Sequence, residues 1–414
     1  MSTLINDIKL RKIINSRGEE TVEVEVYLSS GSVGRFSAPS GASVGKYEAK
    51  ALPDGGVDEG IKYVEDEVKP KLIGNDALNQ RKLDQLLKEV DGTENFSKMG
   101  GNFSISLSIA FAKAVAEETD KPFYEHLSDE IGYNPLLPLP LGNIIEGGEH
   151  AGEGATEIQE FLTLPLDPDS VKEAVLANAR VHQEAGKILS ERKRDFSGGK
   201  GDEGGWVAPL NTEEALNVLE KAKNRVENRF NLNIGIGLDL AASEMWDGSV
   251  YRYRRDLDKR EKDQIDFIES LTQEYDLKYI EDPLDQDAFD GFSDLNSELG
   301  NSTLICGDDL FTTNKTRIKK GIKNKSANSI LIKPNQIGTL TGTVEAIEMG
   351  KENNYKLVVS HRSGETSDNS ISHIGVACTE VIKTGAVGGE RVSKLNELIR
   401  IEEKTNIEVS NLRC

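Results

Sequence analysis

The first 130 or so residues change from an alternating pattern of apolar and polar positions to helical spacing. Residues 21–41 alternate, with Gly31 at a turn-like centre, which predicts an antiparallel hairpin or meander. Helical spacing follows in three segments, of which the last is rich in small residues and is expected to be buried: 60–73, 77–91 and 104–119. Strands followed by helices predict a small α+β domain, which we place at residues 1–133.

A different rhythm begins near residue 140, where short apolar runs recur with helical patterns between them. The runs occupy residues 234–238, 277–280, 303–306, 330–332, 356–359 and 381–382. Spacings of roughly 25–40 residues are typical of strand–helix units in a parallel sheet, and so many units favour a closed barrel over an open sheet. We therefore predict an α/β fold, a modified β/α (TIM-like) barrel at residues 140–414, preceded by the α+β domain and a proline-rich linker at residues 133–143.

Charge and cysteine content narrow the classes of partner and compartment. The net charge of −21 disfavours nucleic acid and anionic membranes as partners. The sequence contains neither an apolar run of membrane-spanning length nor a secretory signal pattern. Its 3 cysteines form no C-x-x-C pair, which favours a reducing cytoplasm over a disulfide framework.

Each apolar run of the predicted barrel is followed by charged or polar residues. These residues are Asp239, Glu281, Asp308, Lys333, the segment 360–363 and Lys383. The carboxyl ends of barrel strands converge on one face, so three acids are expected in one small volume. Because such carboxylates repel one another, a hard divalent cation is expected among them, Mg²⁺ before Mn²⁺ or Ca²⁺. A helix cap or a surface carboxylate would explain any one acid alone, and the second acids Asp282 and Asp309 are expected to be supporting or capping groups.

Lys333 ends a run of three branched apolar residues, where a lysine costs desolvation unless it has a partner or a task. A snorkelling or ion-paired lysine is one interpretation. The other is a general base, because burial and nearby cations lower a lysine's pKa from about 10.4. A neutral amine beside metal-bound carboxylate oxygens would remove a proton α to a carboxylate.

Three glycine-rich loops and one arginine add candidate groups, although flexible surface loops have the same composition. Residues 198–206 carry Glu203, a candidate acid that assists a leaving group, and residues 146–161 carry a histidine and two further polar groups. Arg362, with a serine behind it, suits phosphate geometry. Residues 39–49 contain a predicted lid loop, which we place at 39–45.

Taken together, these segments resemble the enolase family, the phosphopyruvate hydratases of glycolysis and gluconeogenesis. The motifs that carry the resemblance lie in the family's order along almost the whole chain: PSGASVGKYEA, GGEHAG, GDEGG, IGLDLAASE, YIEDPL, GDDLFTTN, LIKPNQIGTLT and SHRSGET. The resemblance implies a lyase that reversibly dehydrates 2-phosphoglycerate to phosphoenolpyruvate. It also implies two Mg²⁺ per active site, the second entering with substrate, and a homo-oligomer, commonly a dimer or an octamer.

The resemblance also implies a role for each matching residue. The implied ligands of the first Mg²⁺ are Asp239, Glu281 and Asp308, and Ser43 on the lid is the implied ligand of the second. Lys333 is implied as the base at C2, and Glu203 as the acid that helps hydroxide leave C3. The implied substrate contacts are His150, Gln159, Glu160, His361, Arg362, Ser363 and Lys383.

Two other functions would make different use of these residues. A related dehydratase or racemase of unphosphorylated acids would leave Arg362 without its anion. A non-catalytic surface-binding protein would not need the acid, base and metal set, and the C-terminal SNLRC lacks the terminal lysine that plasminogen-binding enolases can use.

Overall fold

The N-terminal part of the chain is a three-stranded antiparallel sheet covered by helices. A computed structural model describes residues 2–41, 45–152, 154–192, 196–254 and 257–412. The strands are β1 (Ile5–Ile14), β2 (Glu20–Leu28) and β3 (Val33–Ser37), in the order β1-β2-β3. The predicted meander is therefore present, and Gly31 turns between β2 and β3 with φ of +103°.

The helices of this part are α1 (Gly56–Tyr63), a π-helical turn (Val64–Val68), α2 (Lys69–Leu72), α3 (Gln80–Asp91), α4 (Gly101–Glu118) and α5 (Phe123–Ile131). The small-residue helix α4 is almost wholly buried, as predicted, and packs on β2 and β3. Its approach depends on Gly34, since a Cβ there would lie 1.9 Å from the carbonyl oxygen of Ala110. The glycine on β3 thus sets how closely helix and sheet pack.

The rest of the described chain forms a closed eight-stranded barrel. Its strands are β4 (Leu139–Glu146), β5 (Glu160–Pro165), β6 (Ile234–Asp239), β7 (Leu277–Glu281), β8 (Leu304–Gly307), β9 (Ser329–Ile332), β10 (Lys356–Ser360) and β11 (Val381–Lys383). The order is β10-β11-β4-β5-β6-β7-β8-β9. The β4–β5 and β5–β6 pairs are antiparallel and the other pairs are parallel, which confirms a modified β/α barrel.

Helices cover the outside of the barrel. They are α6 (Val171–Glu191), α7 (Thr212–Phe230), α8 (Glu261–Tyr275), α9 (Phe289–Leu299), α10 (Lys315–Asn324), α11 (Pro334–Ile337), α12 (Leu340–Glu352), α13 (Ser370–Cys378) and α14 (Gly389–Lys404). Asn211 begins α7 with a reciprocal capping box to Glu214. Among the described residues, no helix combines the length and apolarity needed to cross a membrane.

All six apolar runs predicted as strands are strands, with bounds that shift by at most one residue. The predicted linker is wrong from Leu139 onwards, because β4 begins there and Pro140 lies within it. Pro140 is tolerated in a strand whose pairing with β11 covers only three residues. The pattern also missed β5. Among the described residues, only a short 3₁₀ helix (Gly148–His150) lies between β4 and β5, and the direction of β5 is reversed.

Candidate active site

One buried lysine gathers carboxylates from three barrel strands. Lys383 ends β11, and its Nζ donates to Asp239 Oδ2 at 2.7 Å and to Glu281 Oε2 at 2.8 Å. Glu160 Oε1, at the start of β5, lies 3.2 Å from the same ammonium. Gln159 Nε2 also donates to Asp239 Oδ2, at 3.4 Å. The strand-end convergence predicted from the sequence is therefore present for these residues.

A second lysine pairs with the third predicted acid. Lys333 follows β9, and its ammonium bonds to Asp308, which follows β8. Gln336 Nε2 donates to the other oxygen of Asp308 at 2.8 Å. Burial alone would lower the pKa of Lys333, but the nearby negative charges, Asp308 first and then Glu281, together outweigh burial and the pKa is raised. The expected lowered pKa includes the effect of bound metal ions and stays a prediction.

Burial leaves several of these acids with strongly perturbed pKa values. Burial, reinforced by the charge of Asp239, raises the pKa of Glu281 to about 8. Burial and the neighbouring charge of Asp309 raise the pKa of Asp282 well above its ordinary value. The negative charge at the mouth of the barrel is thus incompletely balanced by the two lysines, which is the electrostatic condition that a bound cation relieves.

The predicted trio of ligands is not gathered around one point. Among the described residues, Asp282, Asp308 and Asp309 form one group whose candidate ligand oxygens all lie within 4.8 Å of one another, and the trio of Asp239, Glu281 and Asp308 does not. The Lys383 ammonium lies between Asp239 and Glu281 instead, and the Lys333 ammonium pairs with Asp308. Asp282 accepts from the backbone N–H groups of Asp308 and Asp309 at 3.1 and 2.7 Å, as expected of a capping acid.

A second cluster lies beside the lysines and contains the loop groups. His361 Nε2 lies 3.0 Å from Glu203 Oε2, and His150 Nδ1 lies 3.8 Å from both Glu203 and Glu160. Burial lowers the pKa of His361 to about 4, so its ring is neutral at pH 7. Burial and the charge of Glu203 raise the pKa of Glu160 well above its ordinary value. Although burial opposes it, the neighbouring His361 and His150 lower the pKa of Glu203 well below its ordinary value. The proton that these two buried carboxylates retain therefore resides on Glu160.

Arg362 is buried at the end of β10 and faces the N-terminal part of the chain. Its Nη1 donates to Glu48 Oε2 at 2.8 Å and its Nη2 to Glu48 Oε1 at 3.3 Å. Nη1 also donates to Asn335 Oδ1 at 3.0 Å. The backbone oxygens of Arg362 and Ser363 both accept from Arg391, at 2.6 Å. The guanidinium is thus held by a carboxylate in the geometry that a phosphate would use.

Sequence reasoning missed several residues that support this site. They are Glu48, Asn143, Glu146, Tyr279, Gln336 and Arg391. Glu146 Oε1 accepts from the backbone N–H groups of Glu203 and Gly205, both at 3.0 Å, and so shapes the loop that carries the predicted acid. Arg391 lies on a helix pattern typical of a solvated face, and no sequence signal marks it as buried. Ser43, the predicted lid ligand, lies outside the described residues.

The donor set fits a hard divalent cation. The candidate ligands are buried carboxylate oxygens, the type of ligand that such cations prefer. Two further buried oxygens beside them, Gln159 Oε1 and Glu160 Oε2, accept no hydrogen bond from the residues that the structure describes. Oxygen donors with surplus negative charge and unused lone pairs are what a metal or an ordered ligand would satisfy.

Comparisons with known proteins agree with this geometry. The sequence model of the family "Enolase, N-terminal domain" matches residues 5–127. The sequence model of the family "Enolase, C-terminal TIM barrel domain" matches residues 134–410. The enolase of Methanothermobacter thermautotrophicus is 47% identical over 408 residues, 98% of this chain and 97% of that protein. The enolase of Haloarcula marismortui is 50% identical over 404 residues, 97% of this chain and 99% of that protein. The chain therefore belongs to the enolase family.

Proposed function

We propose that the strand-end cluster is the active site at which this chain dehydrates 2-phosphoglycerate to phosphoenolpyruvate. The reaction, that of a reversible hydro-lyase in glycolysis and gluconeogenesis, follows from membership of the family. The observation that supports the location best is the meeting of two buried ammonium groups with carboxylates from separate strands. We also propose that the protein acts in the cytoplasm as a homo-oligomer, a dimer or an octamer.

The proposed metal is Mg²⁺, two ions per active site, with the second entering together with substrate. Asp239, Glu281 and Asp308 would hold the first ion, and Ser43 would contribute to the second. Bound cations supply Lewis-acid stabilisation of the negative charge that develops on the substrate carboxylate. Lys383 would then face the same carboxylate from the opposite strand, with His361 beside it.

Lys333 is the proposed base that takes the proton from C2. Its ammonium now pairs with Asp308, and this pairing raises its pKa. Ligation of Asp308 to a cation would remove that partner, and burial would then favour the neutral amine. Under this proposal, Lys333 is protonated while it pairs with Asp308 and becomes neutral when a cation binds Asp308.

Glu203 is the proposed acid that donates a proton as the C3 hydroxyl leaves. It lies in a buried cluster with Glu160 and His150 whose candidate ligand atoms are all within 4.8 Å. The retained proton of the cluster lies on Glu160, whose pKa is raised, whereas the pKa of Glu203 is lowered. Glu203 would therefore take up a proton within this cluster before it donates one to the leaving hydroxyl. Gln159, Glu160 and His150 would also contact the substrate.

Arg362 and Ser363 are the proposed phosphate contacts. A buried guanidinium that already binds a carboxylate through two nitrogens has the donor geometry for a phosphate. A phosphate-binding guanidinium at this place favours a phosphorylated substrate over the unphosphorylated acids of related dehydratases and racemases.

An ultraviolet assay for phosphoenolpyruvate tests the proposal. We expect product from 2-phosphoglycerate with Mg²⁺, loss of product with EDTA, and recovery when excess Mg²⁺ is added. The unphosphorylated parent acid, glycerate, is the matched control and should give no turnover. Turnover of glycerate at a comparable rate, or full activity in EDTA, would contradict the assignment of the site.

A further inference from the structure

A tyrosine inside the barrel contacts one of the proposed metal ligands. Tyr279 lies on β7 two residues before Glu281, so both side chains point to the same face of the strand. The tyrosine is fully buried, and its hydroxyl donates to Glu281 Oε2 at 2.7 Å. One strand therefore carries both a candidate ligand and a hydrogen-bond donor to that ligand.

Packing of the surrounding side chains does not require a hydroxyl at position 279. The barrel interior around it is filled by apolar side chains: Leu139, Leu141, Leu162, Leu164, Leu304, Cys306, Leu331, Val358 and Val381. Burying a hydroxyl costs free energy unless it is hydrogen-bonded, and phenylalanine would fill the same space without that cost. The hydroxyl also has a hydrogen-bond contact with the thiol of Cys306, which is a weak partner compared with a carboxylate. The bond to Glu281 is thus the main feature that distinguishes tyrosine from phenylalanine here.

The neighbouring strand leaves room for the ring. Gly237 on β6 is the register partner of Tyr279 on β7. A Cβ at Gly237 would lie 3.0 Å from the Tyr279 Cβ and 3.4 Å from the Leu162 Cβ. A glycine at this position, two residues before Asp239, lets the aromatic side chain occupy the barrel interior beneath the site.

We propose that Tyr279 is a positioning residue that orients the Glu281 carboxylate for metal binding. The inference rests on the proposed function, in which Glu281 is a metal ligand. Tyr279 acts through Glu281 and does not touch substrate. Hydrogen bonds to ligating groups commonly change metal affinity 10–100-fold, and we expect roughly a 10-fold weaker Mg²⁺ affinity in Tyr279→Phe.

Isothermal titration of MgCl₂ into the EDTA-treated, desalted full-length protein, without substrate, tests the proposal. We expect the Kd for Mg²⁺ to rise about 10-fold in Tyr279→Phe and to stay at the wild-type value in Tyr355→Phe. Tyr355 is the matched control because it is also buried and packs on Phe311 outside the barrel interior. A hydroxyl that serves only folding would change the melting temperature and leave the Mg²⁺ affinity as it was.

Glu281→Gln separates failure of this proposal from failure of the proposed function. If Glu281→Gln binds Mg²⁺ as the wild type does, Glu281 is not a ligand and the metal assignment itself fails. If Glu281→Gln loses binding while Tyr279→Phe keeps wild-type affinity, only the role of Tyr279 is overturned. If Tyr279→Phe does not fold, Gly237→Ala is the second variant, because it displaces the ring but keeps the hydroxyl. Gly237→Ala must then weaken Mg²⁺ binding. Wild-type affinity in that variant overturns the proposal.

Discussion

The ion pair between Glu48 and Arg362 joins the loop after β3 to the proposed phosphate contact, and Glu48→Gln tests what it does. Both side chains are only 4% exposed, so the pair is shielded from solvent. Two unit charges about 4 Å apart interact by about 4 kcal/mol at an effective dielectric constant of 20. Breaking a buried pair by removing one partner costs about 3–5 kcal/mol, and we expect a loss near 3 because glutamine can retain hydrogen bonds.

The stability loss in Glu48→Gln should be recovered by an anion. We expect the melting temperature without ligand to fall by roughly 5 °C. In the variant, inorganic phosphate would replace the negative charge of the missing Glu48 carboxylate beside Arg362. It would not first have to displace a carboxylate. Its affinity should therefore increase by at least about 10-fold, and phosphate should raise the melting temperature of the variant more than that of the wild type.

Thermal denaturation with and without phosphate, and calorimetric titration with phosphate, measure both effects. Glu345→Gln is the matched control, because Glu345 forms an exposed ion pair with Lys315 at 2.9 Å and should change stability by less than about 0.5 kcal/mol. If Glu48→Gln melts with the wild type and binds phosphate no more tightly, Glu48 does not compete for the guanidinium and the reasoning fails.

Two further predictions concern stability. Hydrogen bonding to Arg11, and to a lesser extent to Tyr27, lowers the pKa of Glu25 to about 2 from an ordinary 4.5. This contribution is fully present above pH 4.5 and is lost as the pH falls towards 2, so Glu25→Gln should flatten the acid limb of a melting-temperature profile, whereas an unchanged limb would contradict the assignment. Gly34→Ala should destabilise the protein by about 1–3 kcal/mol, because its Cβ would overlap the Ala110 carbonyl oxygen. Gly389→Ala, where a Cβ meets nothing within 4 Å, is the control, and equal melting temperatures for the two variants would refute the packing argument.

Sequence patterns predicted the barrel because its parallel strands are buried on both sides. Such strands are short, uninterrupted apolar runs, and the residue after each run marks the end that carries chemistry. The antiparallel strands β4 and β5 break that rule. β4 contains Pro140, and within the described residues only a short 3₁₀ helix separates β4 from β5. The pattern therefore missed the two strands at which the barrel departs from a simple β/α repeat.

Pairing within the site could not be predicted from sequence. Their positions after predicted strands placed Lys333 and Asp308 at the same end of the barrel. Only the folded chain shows that their charged groups are in contact and that the pKa of the lysine is raised. Glu48 and Arg362 are 314 positions apart, and no periodicity connects them. Supporting residues such as Arg391 are set by tertiary contacts that a local pattern does not record.

In the proposed mechanism, Lys333 removes the C2 proton while a separate acid assists the departure of the C3 hydroxyl. Proton NMR of 2-phosphoglycerate in D₂O with Mg²⁺ follows exchange at C2 directly. We expect exchange with the wild-type protein, none with Lys333→Ala, and retained exchange with Glu203→Gln even though phosphoenolpyruvate no longer forms. Exchange at the wild-type rate with Lys333→Ala would contradict the account.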